Sequence, residues 1–520
     1  MPLSASPENS ADEDTVLPDA PEEDSAEEGH AAPGQDDEYV LVPNGKPSTN
    51  VKLEDMFSSD DEDYGDIPDS SLESAEQELK MENSSSPASS VQPAPPSPYS
   101  SPEVMLAFYQ RLFPFRQLFQ WLNHAVKPSN DFAHREFAFT LQNDAYLRYQ
   151  SFSTADLLRK DILRLNPSRF EIGPVYTANP RDRKTLKKST AFKPKSKELV
   201  FDIDLTDYDE IRTCCDKANI CLKCWQFVTM AIKVVDTALR DDFGFEHIMW
   251  VYSGRRGAHA WISDKRARNM DDTKRKALAG YLEVIKGGSQ SGKKVNVKRP
   301  LHPHLSRSLE LLQEHFLTDI LQDQDPWQSE ERTERLLTLL PDKALNDALR
   351  KKWSSAPGRS SASKWADIDA LAKAGVSSTL DTAALLEAKK DIILEYTYPR
   401  LDVEVSKKQI HLLKSPFVIH PGTGRVCVPI DPKKLEKFNP LGVPTVTELL
   451  EEIDEWDAAK GGEEEDGEGM EDGEEKKIQD YEKTSLKPYV EFFKVHVASL
   501  LKKEDKNVKV EKENGDAMEF

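Results

Sequence analysis

The sequence predicts an α+β fold: a mixed-sheet core interrupted by a mostly helical block, behind a long acidic tail. Strand-like segments flank the helical block, with ELVFDIDL (198–205) and HIMWVYSG (247–254) before it and PRLDVEVS (399–406) and RVCVPI (425–430) after it. Between them, residues 264–286 and 301–350 carry amphipathic helical spacing. The formal charge of −23 is unevenly spread: residues 1–100 hold 25 Asp and Glu against Lys46, Lys52 and Lys80, and nine acids with no base crowd into 463–475. Without those two stretches the body of the chain is +8, so the folded part is suited to a polyanionic partner.

Residues 1–100 mix acidic blocks with Ser, Pro, Ala and Gly and have too few apolar groups to offset the entropy of ordering, which predicts a disordered tail. Within it, Ser58 and Ser59 precede a carboxylate run that an acid-directed kinase would read; a plain solubilising tail is the simpler reading. Folded structure is expected from Pro102, where MLAFYQRLFPF and LFQWLN have helical spacing. HREFAFTL and DAYLRYQSF (134–152) place Arg135, Glu136, Tyr146, Arg148 and Tyr149 among alternating apolar residues. That interleaving suits nucleic-acid contact, and equally an ordinary half-buried hairpin, which the pattern alone favours. Residues 181–197 carry eight Lys and Arg and one acid, either a landing strip for nucleic acid or a solvated loop.

After ELVFDIDL comes a helix, WQFVTMAIKVVDTALRDDF, with Phe227, Met230, Ala231, Val234, Val235 and Ala238 on its apolar face. Residues 354–380, rich in Ser, Ala and Gly, show the weakest pattern, and a final helix is expected around 487–502. The expected organisation is a disordered tail (1–100), a core (101–263 and 396–458), a helical subdomain (264–395), an acidic linker (459–478), a C-terminal helix (479–503) and a disordered end (504–520). No run of 18 apolar residues occurs, and the first 30 residues lack both Lys/Arg and an apolar segment. A soluble, intracellular protein without membrane contact is therefore expected.

Four constellations carry chemistry. In FDIDL, strand alternation puts Asp202 and Asp204 on one face and Phe201, Ile203 and Leu205 on the other. Two carboxylates about 7 Å apart repel unless a cation joins them, so the pair suits Mg²⁺ and phosphoryl transfer; a solvated D-x-D at a strand end is the ordinary alternative. Asp207 and Asp209 belong to a turn or helix start. Four of the five cysteines, Cys214, Cys215, Cys221 and Cys224, lie within eleven residues, a spacing for a closed structural zinc shell in a reducing compartment, though buried free thiols also fit; Cys427 reads as strand core. Ser253, Arg255, Arg256 and His259, with Gly254 and Gly257 between them, follow a strand and suit a phosphate, or a plain basic turn. Asp402 and Glu404 would alternate onto one strand face, with His411, Lys414 and His420 following; Asp402 would complete a two-metal site and Lys414 and His420 would meet a triphosphate.

The order ELVFDIDLTDYDEIRTCC, CLKCW, WVYSGRRGAHAW, YPRLDVEVS and LLKSPFVIHPGTGRVCVPID closely resembles the small, catalytic subunit of eukaryotic DNA primase, of the archaeo-eukaryotic primase superfamily. RLFPF, HREFAFTL, YLRYQSF and DYEKTSLKPYV extend the resemblance over about residues 105–500. It implies a primase core with a zinc motif at 214–224, in which Asp202, Asp204 and Asp402 bind two Mg²⁺ or Mn²⁺ ions and Cys214, Cys215, Cys221 and Cys224 hold Zn²⁺. It further implies that Ser253, Arg255, Arg256, His259, Lys414 and His420 hold the nucleotide triphosphate, with His411 nearby, and that Glu136 and Arg148, with Tyr146 less strictly matched, stand at the active site. The expected activity is synthesis of short RNA primers from ribonucleoside triphosphates on single-stranded DNA for replication. The expected partners are an iron–sulfur large primase subunit and, through it, the catalytic and accessory subunits of DNA polymerase alpha, in the nucleus. Alternatives are a repair-type primase-polymerase using deoxynucleotides, and a non-catalytic zinc-bearing nucleic-acid binder, against which the three acids argue.

Overall fold

A computed structural model describes residues 101–188, 191–285, 294–461 and 478–516. The tail 1–100 with Ser58 and Ser59, and the acidic run 463–475, lie outside the described residues. In chain order the helices are α1 (Pro102–Arg111), α2 (Phe115–Asn123), α3 (Asn130–Ala133), α4 (Ala155–Leu165), α5 (Leu222–Asp241), α6 (Lys265–Arg268), α7 (Asp272–Leu282), α8 (Pro303–His315), α9 (Glu330–Thr338), α10 (Lys343–Ser354), α11 (Ser361–Lys373), α12 (Thr382–Thr397), α13 (Val403–Lys407), α14 (Val446–Gly461) and α15 (Lys487–Asp516). The strands are β1 (Arg135–Thr140), β2 (Tyr146–Gln150), β3 (Arg169–Tyr176), β4 (Pro194–Ser196), β5 (Leu199–Asp204), β6 (Ile248–Tyr252), β7 (Gly257–Ile262), β8 (Leu413–Lys414) and β9 (Pro429–Ile430). None of the described helices is long and apolar enough to cross a membrane.

The α+β class is as expected, but the mixed sheet is instead two sheets. One has the order β2-β1-β3-β4, with β8 also on β3; the other has the order β5-β7-β6-β9. Every strand pairing in both is antiparallel. Hairpins account for much of this: β1–β2 and β6–β7 are joined by short loops, which can only return antiparallel. β1 is buried along its whole length while β2 is half-buried, and the register slips between Phe137 and Phe139, a bulge that re-aims β2.

The apolar faces pack as their spacing requires. Helix α5 buries Phe227, Met230, Ala231, Val234, Val235 and Ala238. Trp121 of α2 meets Trp261 of β7 edge-on at 5.2 Å, and its indole N–H donates to Ser263 Oγ at 2.8 Å. Phe493 of α15 closes on the same Trp121 at 5.8 Å and on Phe417 at 5.3 Å, so the last helix seals the core. Below this layer, Arg135 and Glu198 form a fully buried ion pair at 2.7 Å, with His124 Nε2 3.0 Å from the same carboxylate. Those partners hold the Glu198 carboxyl well below its usual range against the cost of burial.

Three further expectations change. PRLDVEVS is not a strand: Asp402 is the N-cap of α13, its side chain accepting from the Glu404 N–H at 3.0 Å. An N-cap acid competes with strand geometry through this local bond, which β-branched composition alone does not reveal. Glu404 therefore does not share a face with Asp402 but pairs with Lys407 at 2.6 Å. RVCVPI shrinks to β9 plus isolated bridges at Arg425 and Val426. The weakly patterned 354–380 stretch contains α11, started by Ser360 accepting from Ser363 N–H, and α15 runs past the expected end at 503.

Candidate active site

β5 places the first two acids. Phe201 and Ile203 are buried and Asp202 and Asp204 are half-buried on the other face, as alternation demands. Across the ladder, Asp202 faces His259 and Asp204 faces Gly257. His259 Nε2 lies 3.4 Å from Asp202 Oδ1, and Arg256 Nε donates to both Asp204 oxygens at 2.9 and 2.8 Å. Asp204 Oδ1 also accepts from Thr206 N and Oγ1, each at 2.8 Å.

The third acid arrives through the backbone. Asp402 N–H donates to the Asp202 carbonyl at 3.3 Å, which sets Asp402 beside β5 without strand pairing. Burial pushes the Asp402 carboxyl up. Asp207, whose spacing fits a turn or helix start, lies in the 3₁₀ turn Leu205–Tyr208 and joins this group. Loss of solvent around the carboxyl, then the Asp204 and Asp402 carboxylates, push it up to about 7, although the residue as a whole is exposed, so water screens part of this effect.

The β6–β7 hairpin presents the basic residues. Ser253 and Gly257 close the loop: Ser253 N–H donates to the Gly257 carbonyl at 2.9 Å and Gly257 N–H to Ser253 Oγ at 3.0 Å. That bond uses the Ser253 hydroxyl as acceptor and leaves its own proton to donate. A Cβ on Gly257 would stand 2.2 Å from the Ile203 carbonyl oxygen, and one on Gly254 (φ +93°) would stand 2.5 Å from His420 Cβ. Both glycines are thus required for close approach, the second to let His420 pack on the loop. Thr423 Oγ1 donates to the Gly254 carbonyl at 2.6 Å, so hairpin and 420–424 turn form one unit.

Segment 411–420 straps the two sheets together. Lys414 on β8 pairs with Glu171 of β3, while His420, buried, lies against the β6–β7 hairpin. The His411 carbonyl accepts from Lys197 Nζ, a buried ammonium whose pKa falls to about 7 through burial. On the first sheet, Glu136 is fully buried and accepts from Arg148 Nε at 3.1 Å, Tyr149 N–H at 3.2 Å and Tyr176 Oη–H at 3.0 Å. Tyr146 Oη–H donates instead to Glu171 at 2.6 Å.

The structure therefore brings Asp202, Asp204, Asp402, Arg256 and His259 together, seats Gly254 on His420, and keeps Glu136 with Arg148 on the neighbouring sheet. Hard oxygen donors with basic neighbours fit Mg²⁺ or Mn²⁺ and a triphosphate. Among the described residues, however, the acids are not drawn into a preformed metal-sized set; Cys214, Cys215, Cys221 and Cys224 are, with their Sγ atoms all within 4.8 Å of one another. All four thiols are free. A hydrogen bond with Cys224 lowers Cys214 to about 5, burial raises Cys215 to about 11, and the bond with Cys214 raises Cys224. Gln324 Nε2 donates to Cys214 Sγ at 3.4 Å and Arg212 Nη1 lies 3.8 Å from Cys224 Sγ. Four thiols with N–H donors around them fit a closed metal shell. Cys427 is buried, 3.2 Å from where a Gly254 Cβ would be, and stands apart from that set.

Residues 201–432 match the family model of the DNA primase small subunit. The chain is 54% identical to the DNA primase small subunit of Schizosaccharomyces pombe, over 77% of this chain and 90% of that protein. Identity to the Saccharomyces cerevisiae DNA primase small subunit is 45%, over 79% and 94% of the two chains, and to that of Drosophila melanogaster 39%, over 74% and 88%. On this evidence the chain belongs to the family of DNA primase small subunits, nucleotidyltransferases that polymerise primers.

Proposed function

We propose that this chain synthesises short RNA primers on single-stranded DNA, as the catalytic subunit of a heterodimer with an iron–sulfur large subunit, within a DNA polymerase alpha–primase assembly in the nucleus. The observation that carries the reading is the junction of β5 with α13: the N–H of Asp402 on the carbonyl of Asp202, with His259 beside Asp202 and Arg256 on Asp204 of the same strand. Asp202, Asp204 and Asp402 would hold two Mg²⁺ or Mn²⁺ ions, whose chemistry when bound is to activate the attacking hydroxyl and neutralise triphosphate charge. Arg255, Arg256, His259, Lys414 and His420 would hold the triphosphate, with Ser253 donating to a phosphate oxygen; cations fixed before the reaction stabilise charge as it builds on the leaving pyrophosphate. Glu136 keeps Arg148 in place, and His411 lies on the strap, its carbonyl accepting from Lys197 Nζ. Cys214, Cys215, Cys221 and Cys224 would hold structural Zn²⁺ between β5 and α5.

Extension of a short RNA primer on poly(dT) by the full chain, with ATP and dATP offered separately, tests the reading. Metal-dependent extension that favours ATP is expected. A clear preference for dATP would replace it with the repair-type activity, and nucleic-acid binding with no incorporation would replace it with the non-catalytic one.

A further inference from the structure

The loop between β3 and β4 is strongly basic, and its lysines are unusually uncommitted. Residues 181–197 carry eight Lys and Arg and the single acid Asp182. Lys184, Lys187, Lys188, Lys193 and Lys195 are exposed, and no carboxylate of a described residue pairs with any of them. A merely solvated loop has no need of a fixed position. This one is fastened twice to the sheet that carries Glu136 and Arg148. Arg183 stacks on the Tyr149 ring at 3.9 Å from its centroid, with Arg148 4.9 Å from the same centroid. Phe192 stacks face to face on Tyr176 at 4.0 Å and 10°.

Both fastenings end on one buried carboxylate. Tyr176 Oη–H donates to Glu136 Oε2, and Glu136 Oε1 accepts from the Tyr149 N–H and from Arg148. Tyr149 also sits at φ +59°, a backbone conformation that a bulky residue adopts only where its surroundings impose it. The lysines are therefore held at a set position relative to Glu136 and Arg148, with their ammonium groups in solvent. From this we infer that the basic residues Lys184, Lys187, Lys188, Lys193 and Lys195 contact the phosphate backbone of the template–primer nucleic acid, positioned by the Tyr149 and Tyr176 latches. The inference rests on the proposed function for the identity of the nucleic acid. Its contact is independent of sequence, because ammonium groups meet phosphates and no base edge is implicated. The chain's own acidic segment 1–100 is the rival occupant.

The test is the affinity of the full chain for a primer–template duplex, without nucleotide, by fluorescence anisotropy across a series of KCl concentrations. Each lost phosphate contact lowers the slope of log affinity against log salt by about 0.9, so changing Lys184, Lys187, Lys188, Lys193 and Lys195 to Gln should lower it by about 4.5. Should that variant fold poorly, Lys187→Gln with Lys188→Gln should lower it by about 2. Phe192→Ala keeps every charge and should weaken binding severalfold with the slope little changed. An unchanged slope in the lysine variants overturns the proposal, as does tighter binding, which would mark the loop as the seat of the acidic segment. Unaltered affinity in Phe192→Ala overturns the latch. Failure of the catalytic reading would appear as absent primer extension and would leave these slopes as they are.

Discussion

The backbone N–H of Asp402 donates to the backbone carbonyl of Asp202 at 3.3 Å. This bond fixes a helix cap against a strand, so the third acid is aimed by its own helix start while the first two are aimed by strand alternation. Asn caps a helix as well as Asp does, whereas Ala costs about 1 kcal/mol there. Asp402→Asn should therefore melt like the wild type and lose primer extension by at least about a hundredfold, the scale for removing one electrostatic stabiliser. Asp402→Ala should be equally inactive and melt lower. Activity retained in the Asn variant would remove Asp402 from the catalytic set.

Glu136 is fully buried and serves Arg148, Tyr149 and Tyr176 at once. Its removal as Glu136→Ala leaves those partners without their acceptor and should cost about 3–5 kcal/mol by urea titration. Glu136→Gln keeps an acceptor and should cost less than half of that. Equal stabilities would mean that the carboxylate charge has no structural role.

Gln324, buried at the end of the π-helical segment Phe316–Gln324, reaches from the helical region to the cysteine cluster. Its Oε1 accepts from Thr213 N–H at 2.8 Å while its Nε2 donates to Cys214 Sγ. Outer partners of this kind are worth about 10- to 100-fold in metal affinity, so Gln324→Leu should release zinc to a chromogenic chelator correspondingly more readily. Unchanged zinc retention would make the contact one of packing alone.

Asp207 supplies a pH dependence. Its carboxyl is raised to about 7 in the fold, above the ordinary range near 4, so the folded state holds this proton more tightly than the unfolded state does. Its contribution to stability is present at low pH and is lost as pH rises from about 4 to about 7. With zinc retained and no Mg²⁺, the melting temperature should fall between pH 5 and pH 8, and Asp207→Asn should flatten that fall. Added Mg²⁺ should raise the wild-type melting temperature more at pH 8 than at pH 5. The same slope in the Asn variant would contradict the crowding of Asp207 with Asp204 and Asp402.

Period-2 alternation made β5 and its two acids legible, and 3.6-residue spacing made α5 legible, because in both a buried face writes its period into the sequence. The turn carrying Arg255 and Arg256 was legible from Gly254 and Gly257, although the close approaches that need these glycines, to His420 and Ile203, come from segments distant in sequence. The α13 start was not, because Asp402 acts there through a side-chain cap that the same letters conceal within a strand-like run. Nor were the two separate sheets, since the strap from His411 to His420 joins them through contacts distant in sequence. Asp207 fits a turn or helix start in the sequence and lies in the 3₁₀ turn Leu205–Tyr208; its neighbours in space come only from the fold.

The central claim is that the acids on β5 perform nucleotidyl transfer, and Asp204 tests it most directly. Wild type and Asp204→Ala would be compared for extension of an RNA primer on poly(dT) with labelled ATP and Mg²⁺ or Mn²⁺, with matched zinc content and melting behaviour. Metal-dependent extension by the wild type and none by the folded variant is the expected result. Extension by Asp204→Ala at the wild-type rate would contradict it.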